Sequence, residues 1–311
     1  MGYFAGIDGG QSSTVAVVLD EGGRVRGRGT AGPADHVDEA PGSRKLADAC
    51  AAALARALEA AGLARDTRFE AVHAGVSGFD GGFDGAPPSF AARSVRIEHD
   101  APVALAGAVQ TRPAVVVIAG TGSVAYGEDE SGGTRVRVGG WGYLFGDEGS
   151  AFAVARDALA HAMAQDDRGV RSPLGDAALA FFDRRDLRAL ATAALQGRIG
   201  RSELAAFARV VHDAARLGDP GATAIVDRAA DALADLAALA VGRLRAEQAV
   251  TIGLSGGAFR AEAFAARVRT RIRELVPGAS VTAARYDPAV GAALLAFADA
   301  GRPAPARVVE G

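Results

Sequence analysis

Apolar and polar residues alternate near the start of the chain in the manner of a small antiparallel sheet. An apolar strand is predicted at 3–8, a second apolar run covers 14–19, and residues 24–29 alternate as a third strand. Glycine and acidic residues occupy the turns between them, as is common in hairpins. A helix is predicted at 43–61, because its apolar residues recur with helical spacing.

The same order of elements begins again near residue 114. A β-branched run at 114–119 predicts a strand, and strand-like residues follow at 124–127 and 135–138. Two further strands are predicted between these meanders, at 70–75 and 93–98. The repetition indicates a weak internal duplication, with a mixed sheet and covering helices in each half, which is typical of α/β proteins.

The remainder of the chain is predicted to be mainly helical, and region 150–248 is rich in Ala, Leu and Arg. The last predicted elements are a strand at 249–254, a helix at 258–275, a strand at 280–284 and a helix at 288–299. We therefore predict two domains, 1–112 and 113–287. The helix at about 288–300 should pack back on the first domain, and residues 301–311 should form a loose tail.

The composition is that of an ordinary globular protein. Of the 311 residues, 49% are hydrophobic and 23% are charged, and the formal net charge is −3. This charge provides no electrostatic reason to expect nucleic acid or an anionic membrane as a partner. No apolar run reaches the roughly 18 residues of a transmembrane helix, and residues 1–10 lack the features of a secretory signal. We therefore expect a cytoplasmic protein without a membrane partner.

Two of the residue types that occur only once restrict the chemistry. Cys50 is the only cysteine, which excludes disulfides and cysteine-ligated clusters within one chain, and its Ala-rich surroundings predict a small core residue. Lys45 is the only lysine, and neither a P-loop nor a protein-kinase motif surrounds it. If the protein uses ATP, backbone N–H groups, hydroxyl groups and Mg²⁺ must hold the phosphates.

Three turns rich in glycine and hydroxyl residues each follow an apolar strand. They are Asp8-Gly9-Gly10-Gln11-Ser12-Ser13, Gly120-Thr121-Gly122-Ser123 and Ser255-Gly256-Gly257. Successive backbone N–H groups in such turns form anion-binding nests, and glycine lets a phosphate come close. One such turn is common in any protein, but three together indicate a nucleotide site.

Two other interpretations of these turns are weaker. Residues 120–125 match the dinucleotide fingerprint G-x-G-x-x-A, but that fingerprint opens a helix and a strand is predicted here. Residues 253–257 match the hydrolase nucleophile elbow G-x-S-x-G. That fold places its histidine after the serine, whereas the last histidine of this chain, His212, precedes Ser255.

A fourth segment, residues 139–150, combines five glycines with the only tryptophan, Trp141, and two adjacent carboxylates, Asp147 and Glu148. A helix is predicted to follow, so these carboxylates or Ser150 could be helix caps. Capping alone does not need five glycines, and we therefore predict that the segment binds a ligand.

Asp100 lies where a predicted strand leads into a helix, with Pro102 close behind it. Asp100 could be the N-cap of that helix. Its carboxylate could instead accept a proton from a substrate hydroxyl. The residues by themselves leave both roles open.

In order and spacing, these motifs resemble the N-acetylglucosamine kinase / BadF-type ATPase family of the actin–hexokinase–Hsp70 superfamily. The resemblance covers about residues 3–297, and the run from Trp141 to Ser150 is its most specific part. It implies an α/β, two-lobed, actin-like (ribonuclease H-like) fold with an ATP and sugar cleft between the lobes. It also implies ATP and Mg²⁺ as cofactors, a small sugar as substrate and a homodimer.

The resemblance assigns roles to individual residues. Asp8 would hold Mg²⁺, and Asp100 would be the catalytic base that accepts the proton of the sugar 6-hydroxyl. The implied ATP-binding residues are Gly9, Gly10, Gln11, Ser12, Thr121, Gly122, Gly218, Gly256 and Gly257. The implied sugar-binding residues are Asp35, Asp100, Ser123, Gly140, Trp141, Gly142 and Asp147.

The sequence departs from the family pattern at a few of these positions. Gln11 and Ser12 replace the commoner Gly-Thr, and His99 replaces a frequent Asn before the base. Asp35 stands where sugar kinases of the family usually have an Asn that contacts the sugar. The alternative is that Asp35 points to solvent and does not contact the sugar. A carboxylate accepts but cannot donate hydrogen bonds, and it favours a cationic amine. Glucosamine and N-acetylmuramic acid therefore remain alternatives to N-acetylglucosamine.

Other functional classes remain within the same family. ATPases that activate iron–sulfur enzymes need cysteines from each subunit for a shared cluster, and Cys50 alone argues against that role. A regulatory ATPase without kinase activity is the second alternative, which the retention of Asp8, Asp100 and Asp147 disfavours. A DNA-binding relative would need a helix-turn-helix segment, which we do not find. We therefore expect an ATP-dependent amino-sugar kinase.

Overall fold

The computed structural model describes residues 2–34, 40, 42–83, 85–246 and 248–310. It divides into two compact units, which we call the first unit (Met1–Thr111 with Ala283–Gly311) and the second unit (Arg112–Thr282). Within the described ranges, no helix is both long and apolar enough to cross a membrane.

The helices and strands follow one another in an α/β order. They are β1 (Tyr3–Gly9), β2 (Thr14–Asp20), β3 (Val25–Ala31), α1 (Lys45–Ala60), β4 (Phe69–Val76), β5 (Ala92–His99), α2 (Asp100–Ala108), β6 (Ala114–Ala119), β7 (Ser123–Glu128), β8 (Arg135–Gly139), α3 (Ala151–Asp166), α4 (Pro173–Phe182), α5 (Leu187–Leu195), α6 (Arg201–Ala206), α7 (Ala208–Arg216), α8 (Pro220–Leu244), β9 (Thr251–Ser255), α9 (Glu262–Leu275), β10 (Ser280–Ala283) and α10 (Pro288–Asp299).

The first unit is built on a five-stranded sheet with the order β3-β2-β1-β4-β5. β1, β2 and β3 form the predicted antiparallel meander, whereas β4 and β5 run parallel to β1. Helix α1 covers one face and buries Leu46, Cys50 and Leu54 there, so the predicted core position of Cys50 is confirmed. Helix α10 covers the other face, where Phe297 stacks on Phe4 with ring centroids 3.8 Å apart.

Val308 and Val309 pack within the first unit, so this part of the loose tail predicted at 301–311 is not observed. Val308 is 5% exposed. Val309 O accepts a hydrogen bond from the Val25 N–H (2.8 Å), and the Val309 N–H donates to Gly23 O (3.0 Å). The Pro- and Ala-containing composition favours a loose end, but the two valines have the strand propensity and apolar surface to bind beside the edge strand β3.

The second unit repeats this plan on a sheet with the order β10-β9-β6-β7-β8. β6, β7 and β8 form the second antiparallel meander, and β9 runs parallel to β6 as β4 does to β1. The long helix α8 buries Ile225, Ala229 and Leu233, which recur with helical spacing. The predicted α/β class, with one mixed sheet in each half, is confirmed.

Candidate functional site

The loop that the sequence predicts to contact phosphates is a tight turn between β1 and β2. The Gly10 N–H donates to Ser13 O (3.0 Å), which closes the turn. Gly9 is buried, Gln11 is half-buried and Ser12 is exposed. The structure therefore brings these residues together at the end of β1, in a geometry compatible with an anion-binding loop.

Asp8, the candidate metal-holding residue, lies near the end of β1 and faces other carboxylates. Burial, together with the negative charges of Asp100 and Asp287, raises the pKa of Asp8 from 3.8 to about 7. Asp287 caps α10 by accepting a hydrogen bond from the Val290 N–H (3.0 Å), and it also binds Arg28. Sequence reasoning did not find its role beside Asp8, because the Asp-Pro pattern signals only the start of a helix.

This surplus of negative charge fits a divalent cation. In the part of the chain that the structure describes, no group of three or more histidine, cysteine, aspartate or glutamate side chains could by itself hold a metal ion. Mg²⁺ usually takes one or two protein carboxylates and fills its other positions with water and phosphate oxygens. Asp8 therefore fits a Mg²⁺ ion that arrives with a nucleotide.

Asp100 begins α2 directly after β5, and its side chain is 24% exposed. His99, not Asp100, occupies the N-cap position, and His99 Nδ1 lies 3.1 Å from Ala101 N and 2.7 Å from Asp100 Oδ1. Gly75 lets α2 approach the sheet, since a β-carbon there would lie 3.1 Å from Asp100 Cα. Because Gly75 pairs with Asp8 in the β1–β4 register, α2 brings Asp100 close to Asp8.

A buried histidine that the sequence pattern did not single out joins β4, β5 and α10. His73 is 2% exposed, with Nε2 3.0 Å from Glu98 Oε1 and Nδ1 2.7 Å from Asp299 Oδ2. Arg96 lies 3.7 Å from Glu98 and 3.9 Å from Asp299. Burial alone would lower the pKa of His73, but hydrogen bonds and charges from Asp299 and Glu98 raise it overall. These contacts favour a charged imidazolium that bridges two carboxylates.

Replacing His73 by leucine is expected to destabilise the protein by about 2–4 kcal/mol at pH 6, because two largely buried carboxylates lose their shared partner. A histidine whose pKa is raised on folding stabilises the fold fully below its unfolded-state pKa of about 6.5. That stabilisation is lost as the pH rises through the folded-state pKa. Urea unfolding of both proteins at pH 6 and pH 9 should therefore show a smaller difference at pH 9. An equal difference at both pH values would contradict a charged His73.

On the second unit, the predicted turn at 120–123 joins β6 to β7. The Gly120 N–H donates to Gly122 O (2.9 Å), and both Thr121 and Gly122 are half-buried. A strand beginning at Ser123 follows the turn. The dinucleotide-binding alternative requires a helix at this point and is therefore excluded.

Ser123 attaches the glycine-rich segment 139–150 to this turn. The Ser123 N–H donates to Asp147 Oδ1 (3.2 Å), and Ser123 Oγ donates to Glu148 O (2.6 Å). Ser150 caps α3 by accepting a hydrogen bond from the Ala153 N–H (3.1 Å). The capping role thus belongs to Ser150, and two of the predicted sugar-binding residues, Ser123 and Asp147, are in contact.

Asp147 is 4% exposed and has a φ of +61°, a left-handed conformation that few non-glycine residues adopt. Its Oδ2 lies 2.6 Å from a guanidinium nitrogen of Arg201 on α6. Burial raises the pKa of Asp147, although the Ser123 N–H and the charges of Arg201 and Arg137 act in the opposite direction. Sequence reasoning missed Arg201, because it lies 54 residues after Asp147 and no local motif marks it.

The other sugar-binding candidates of this segment lie in its exposed part. Gly140 and Gly142 have φ values of +68° and +82°, and Trp141 between them is 77% exposed. Leu144 and Phe145 are also exposed. A loop that presents this much apolar surface is typical of a ligand or partner contact.

The predicted adenosine loop leaves the sheet beside the 120–123 turn, because Ile118 on β6 pairs with Ser255 on β9. Gly256 has a φ of +109°, and a β-carbon there would lie 2.4 Å from Ala119 O, so a larger residue does not fit. Ser255 is 4% exposed, which contradicts the nucleophile-elbow alternative because that serine must be accessible.

The remaining candidates are placed as follows. Gly257 begins a short 3-10 turn, Gly257–Arg260, and α9 begins only at Glu262 rather than at the predicted 258. The N-cap position of α9 holds an alanine, which makes no side-chain capping bond. Gly218 lies in the exposed connection between α7 and α8. Asp35, the predicted sugar selector, lies outside the described residues.

The model of the BadF/BadG/BcrA/BcrD ATPase family matches residues 5–296. The chain belongs to this family. The predicted family resemblance is therefore confirmed. Membership of an ATPase family implies the use of ATP by this BadF-type ATPase.

Two curated relatives of this BadF-type ATPase are sugar kinases. The chain is 34% identical over 135 residues to an N-acetylmuramic acid/N-acetylglucosamine kinase of Clostridium acetobutylicum, and the aligned region covers 43% of this chain and 44% of the relative. It is 30% identical over 207 residues to an N-acetyl-D-glucosamine kinase of Dictyostelium discoideum, and the aligned region covers 65% of each protein. The matches thus span less than two thirds of both relatives.

Solved structures extend the similarity over nearly the whole chain. A protein of Chromobacterium violaceum, provisionally assigned as an N-acetylglucosamine kinase, has a TM-score of 0.78 at 29% identity, covering 95% of this chain and 99% of that one. A ROK family glucokinase of Streptomyces griseus, solved with glucose and AMPPNP, has a TM-score of 0.59 at 20% identity, covering 96% and 100%. The second likeness shows the shared fold.

Proposed function

We propose that this BadF-type ATPase is an ATP-dependent amino-sugar kinase that transfers the γ-phosphate of ATP to the 6-hydroxyl of N-acetylglucosamine. The observation that carries the proposal is the arrangement of Asp8 and Asp100. α2 brings the two carboxylates close together, and Asp100 does not occupy the N-cap position of that helix. The sugar kinases among its relatives support the choice of acceptor.

In this proposal, Asp8 holds Mg²⁺, which neutralises charge on the transferring phosphoryl group when it is bound. The turn at 9–12 and the turn at 120–123 offer backbone N–H groups and hydroxyls to the phosphates. Gly256 and Gly257 border the adenosine. In a P-loop, a lysine contacts the β- and γ-phosphates. The only lysine of this chain, Lys45, lies in none of these turns, so backbone N–H groups and hydroxyls take that role in this proposal.

Asp100 accepts the proton of the sugar 6-hydroxyl as that oxygen attacks the γ-phosphorus, and ADP leaves with the electrons of the broken P–O bond. The carboxylate of Asp147 accepts hydrogen bonds from other sugar hydroxyls, beside Ser123 and the backbone of Gly140 and Gly142. Trp141 provides an apolar surface that suits a sugar face or an N-acetyl group.

The preferred amino sugar depends on Asp35 in this proposal. The Asp35→Asn variant is expected to shift the ratio of kcat/KM values toward N-acetylglucosamine and away from glucosamine by about tenfold, because it removes a charge that attracts the amine and adds an N–H donor. The two kcat/KM values, measured for wild type and variant, check this. An unchanged ratio would mean that Asp35 does not contact the sugar.

A coupled ADP-release assay with Mg-ATP tests the function directly. The sugars are N-acetylglucosamine, glucosamine, N-acetylmuramic acid, N-acetylmannosamine and glucose. We expect strong turnover with one amino sugar and little with glucose. If no sugar is turned over while ATP still binds, the kinase proposal fails and the regulatory or partner-activating ATPase becomes the better proposal.

Two further features complete the proposal. By family likeness we propose a homodimer, which sedimentation equilibrium of the purified chain would test through its mass. Because the reaction consumes ATP, we propose that it takes place in the cytoplasm.

A further inference from the structure

Both oxygens of the Asp147 carboxylate are engaged within the second unit. Oδ1 accepts a hydrogen bond from the Ser123 N–H (3.2 Å), and Oδ2 lies 2.6 Å from Arg201. The side chain of Asp147 is 5% exposed and that of Arg201 is 24% exposed. Hydrogen bonds between charged groups are short and strong where water is excluded. The carboxylate therefore has a defined direction before any ligand binds.

Arg201 is itself held in place by aromatic rings from two other elements. Its guanidinium carbon lies 4.9 Å from the ring centroid of Tyr143 and 5.7 Å from that of Phe152 on α3. A cation at this distance from an aromatic face is attracted to it. Tyr143 belongs to the same glycine-rich segment as Asp147, so Arg201 binds this segment at two points.

The charges around Asp147 explain why it needs this arginine. Burial favours its neutral form, and Glu148 on the same segment acts in the same direction. Arg201 on α6 and Arg137 on β8 favour the ionised form. Arg201 makes the direct ion pair, so its removal leaves a buried carboxylate with much weaker support.

We propose that Arg201 is a positioning residue for the sugar site, which keeps Asp147 as an oriented carboxylate that accepts hydrogen bonds from sugar hydroxyls. As far as it concerns the substrate, this inference rests on the proposed sugar kinase function. Arg201 acts through Asp147 and through the segment that carries Tyr143, and it takes no part in phosphoryl transfer.

The Arg201→Met variant is expected to raise the KM for the amino sugar by tenfold or more, with a smaller change in kcat, because it weakens sugar binding rather than the chemical step. The acid limb of kcat/KM for the sugar should move to higher pH by about 1–3 units, since Asp147 then takes up a proton more readily. The matched control is Arg198→Met, an exposed arginine just before α6, which should leave both quantities unchanged.

Arg201→Lys separates charge from geometry, and it retains a cation if the methionine variant folds poorly. It should keep the acid limb near that of the wild type but still raise the KM, because lysine lacks the planar fork. If the wild type is active and Arg201→Met has the same acid limb and the same KM as the wild type, the proposal is overturned.

A second readout does not depend on turnover. Trp141 is the only tryptophan and lies in the same segment, so the anisotropy of its emission reports how firmly the segment is held. We expect the anisotropy to fall as the pH is lowered. The pH at the midpoint of this fall should be higher in Arg201→Met than in the wild type. In an Asp147→Asn background, Arg201→Met should not move any midpoint.

The two readouts distinguish the failure of this inference from the failure of the proposed function. Absence of sugar turnover in the wild type, with a shifted Trp141 midpoint in Arg201→Met, would contradict the kinase but retain the link between Arg201 and Asp147. Identical Trp141 midpoints in wild type and Arg201→Met would overturn that link, whatever the substrate is.

Discussion

Replacing Asp100 by asparagine is expected to lower kcat for sugar phosphorylation by about 10²–10⁴-fold, while ATP binding stays within a few-fold of wild type. Asparagine has nearly the same shape but cannot accept a proton, and a positioned general base contributes about this factor. The coupled ADP-release assay at saturating sugar measures kcat, and isothermal titration calorimetry measures ATP affinity. Loss of kcat alone is the expected signature of a missing base.

Asp48→Asn provides a matched control for the loss of one carboxylate on the first unit. Asp48 lies on α1 with its side chain 63% exposed. This variant should retain the wild-type kcat. Near-normal turnover in Asp100→Asn would remove Asp100 from the base role, and the search for the base would move to other carboxylates near Asp8.

Replacing Asp8 by asparagine is expected to have two opposite effects. Turnover with Mg-ATP should fall by 10²-fold or more, because a metal that stabilises the transferring phosphoryl charge contributes several kcal/mol. The metal-free protein should become more stable at pH 8, by roughly 1–3 kcal/mol after allowance for the partial exposure of Asp8. A site that stores such repulsion is expected where function, not stability, selects the residues.

The pH dependence of the second effect follows from the raised pKa of Asp8. The carboxyl has a folded-state pKa of about 7 and an ordinary value of 3.8, so folding disfavours its ionised form. The resulting penalty is absent below about pH 4, grows between those two values and is complete above about pH 7. Urea unfolding without metal should therefore show a stabilised Asp8→Asn variant at pH 8 and little difference at pH 4.

Magnesium itself supplies the control for Asp8. Addition of Mg²⁺ with a non-hydrolysable ATP analogue should raise the Tm of the wild type more than that of Asp8→Asn, because a ligand stabilises the state to which it binds. Equal shifts in both proteins would mean that Asp8 does not hold the metal. Equal stability of the two metal-free proteins at pH 8 would mean that the facing carboxylates do not repel Asp8.

Local sequence patterns were sufficient to predict the fold class, and the resemblance of the motifs to a known family predicted the family. Strand positions followed from apolar runs bounded by glycine turns, and the restart near residue 114 indicated the repeated sheet. The turns at 9–12 and 120–123 lie at strand ends as predicted, because both the strand and its turn are specified by adjacent residues. The same reasoning placed the core helix around Cys50.

The tertiary structure decided which residues meet. Asp147 and Arg201 are 54 residues apart, and Asp287 comes to Asp8 from near the other end of the chain. The cap of α2 is His99 rather than Asp100, and the C-terminal valines bind beside β3 instead of forming a loose tail. A sequence pattern reports the preferences of residues within a few positions of one another. Contacts between distant residues depend on how helices and sheets pack, and that packing alone determines which carboxylate is buried, which is paired and which faces another charge.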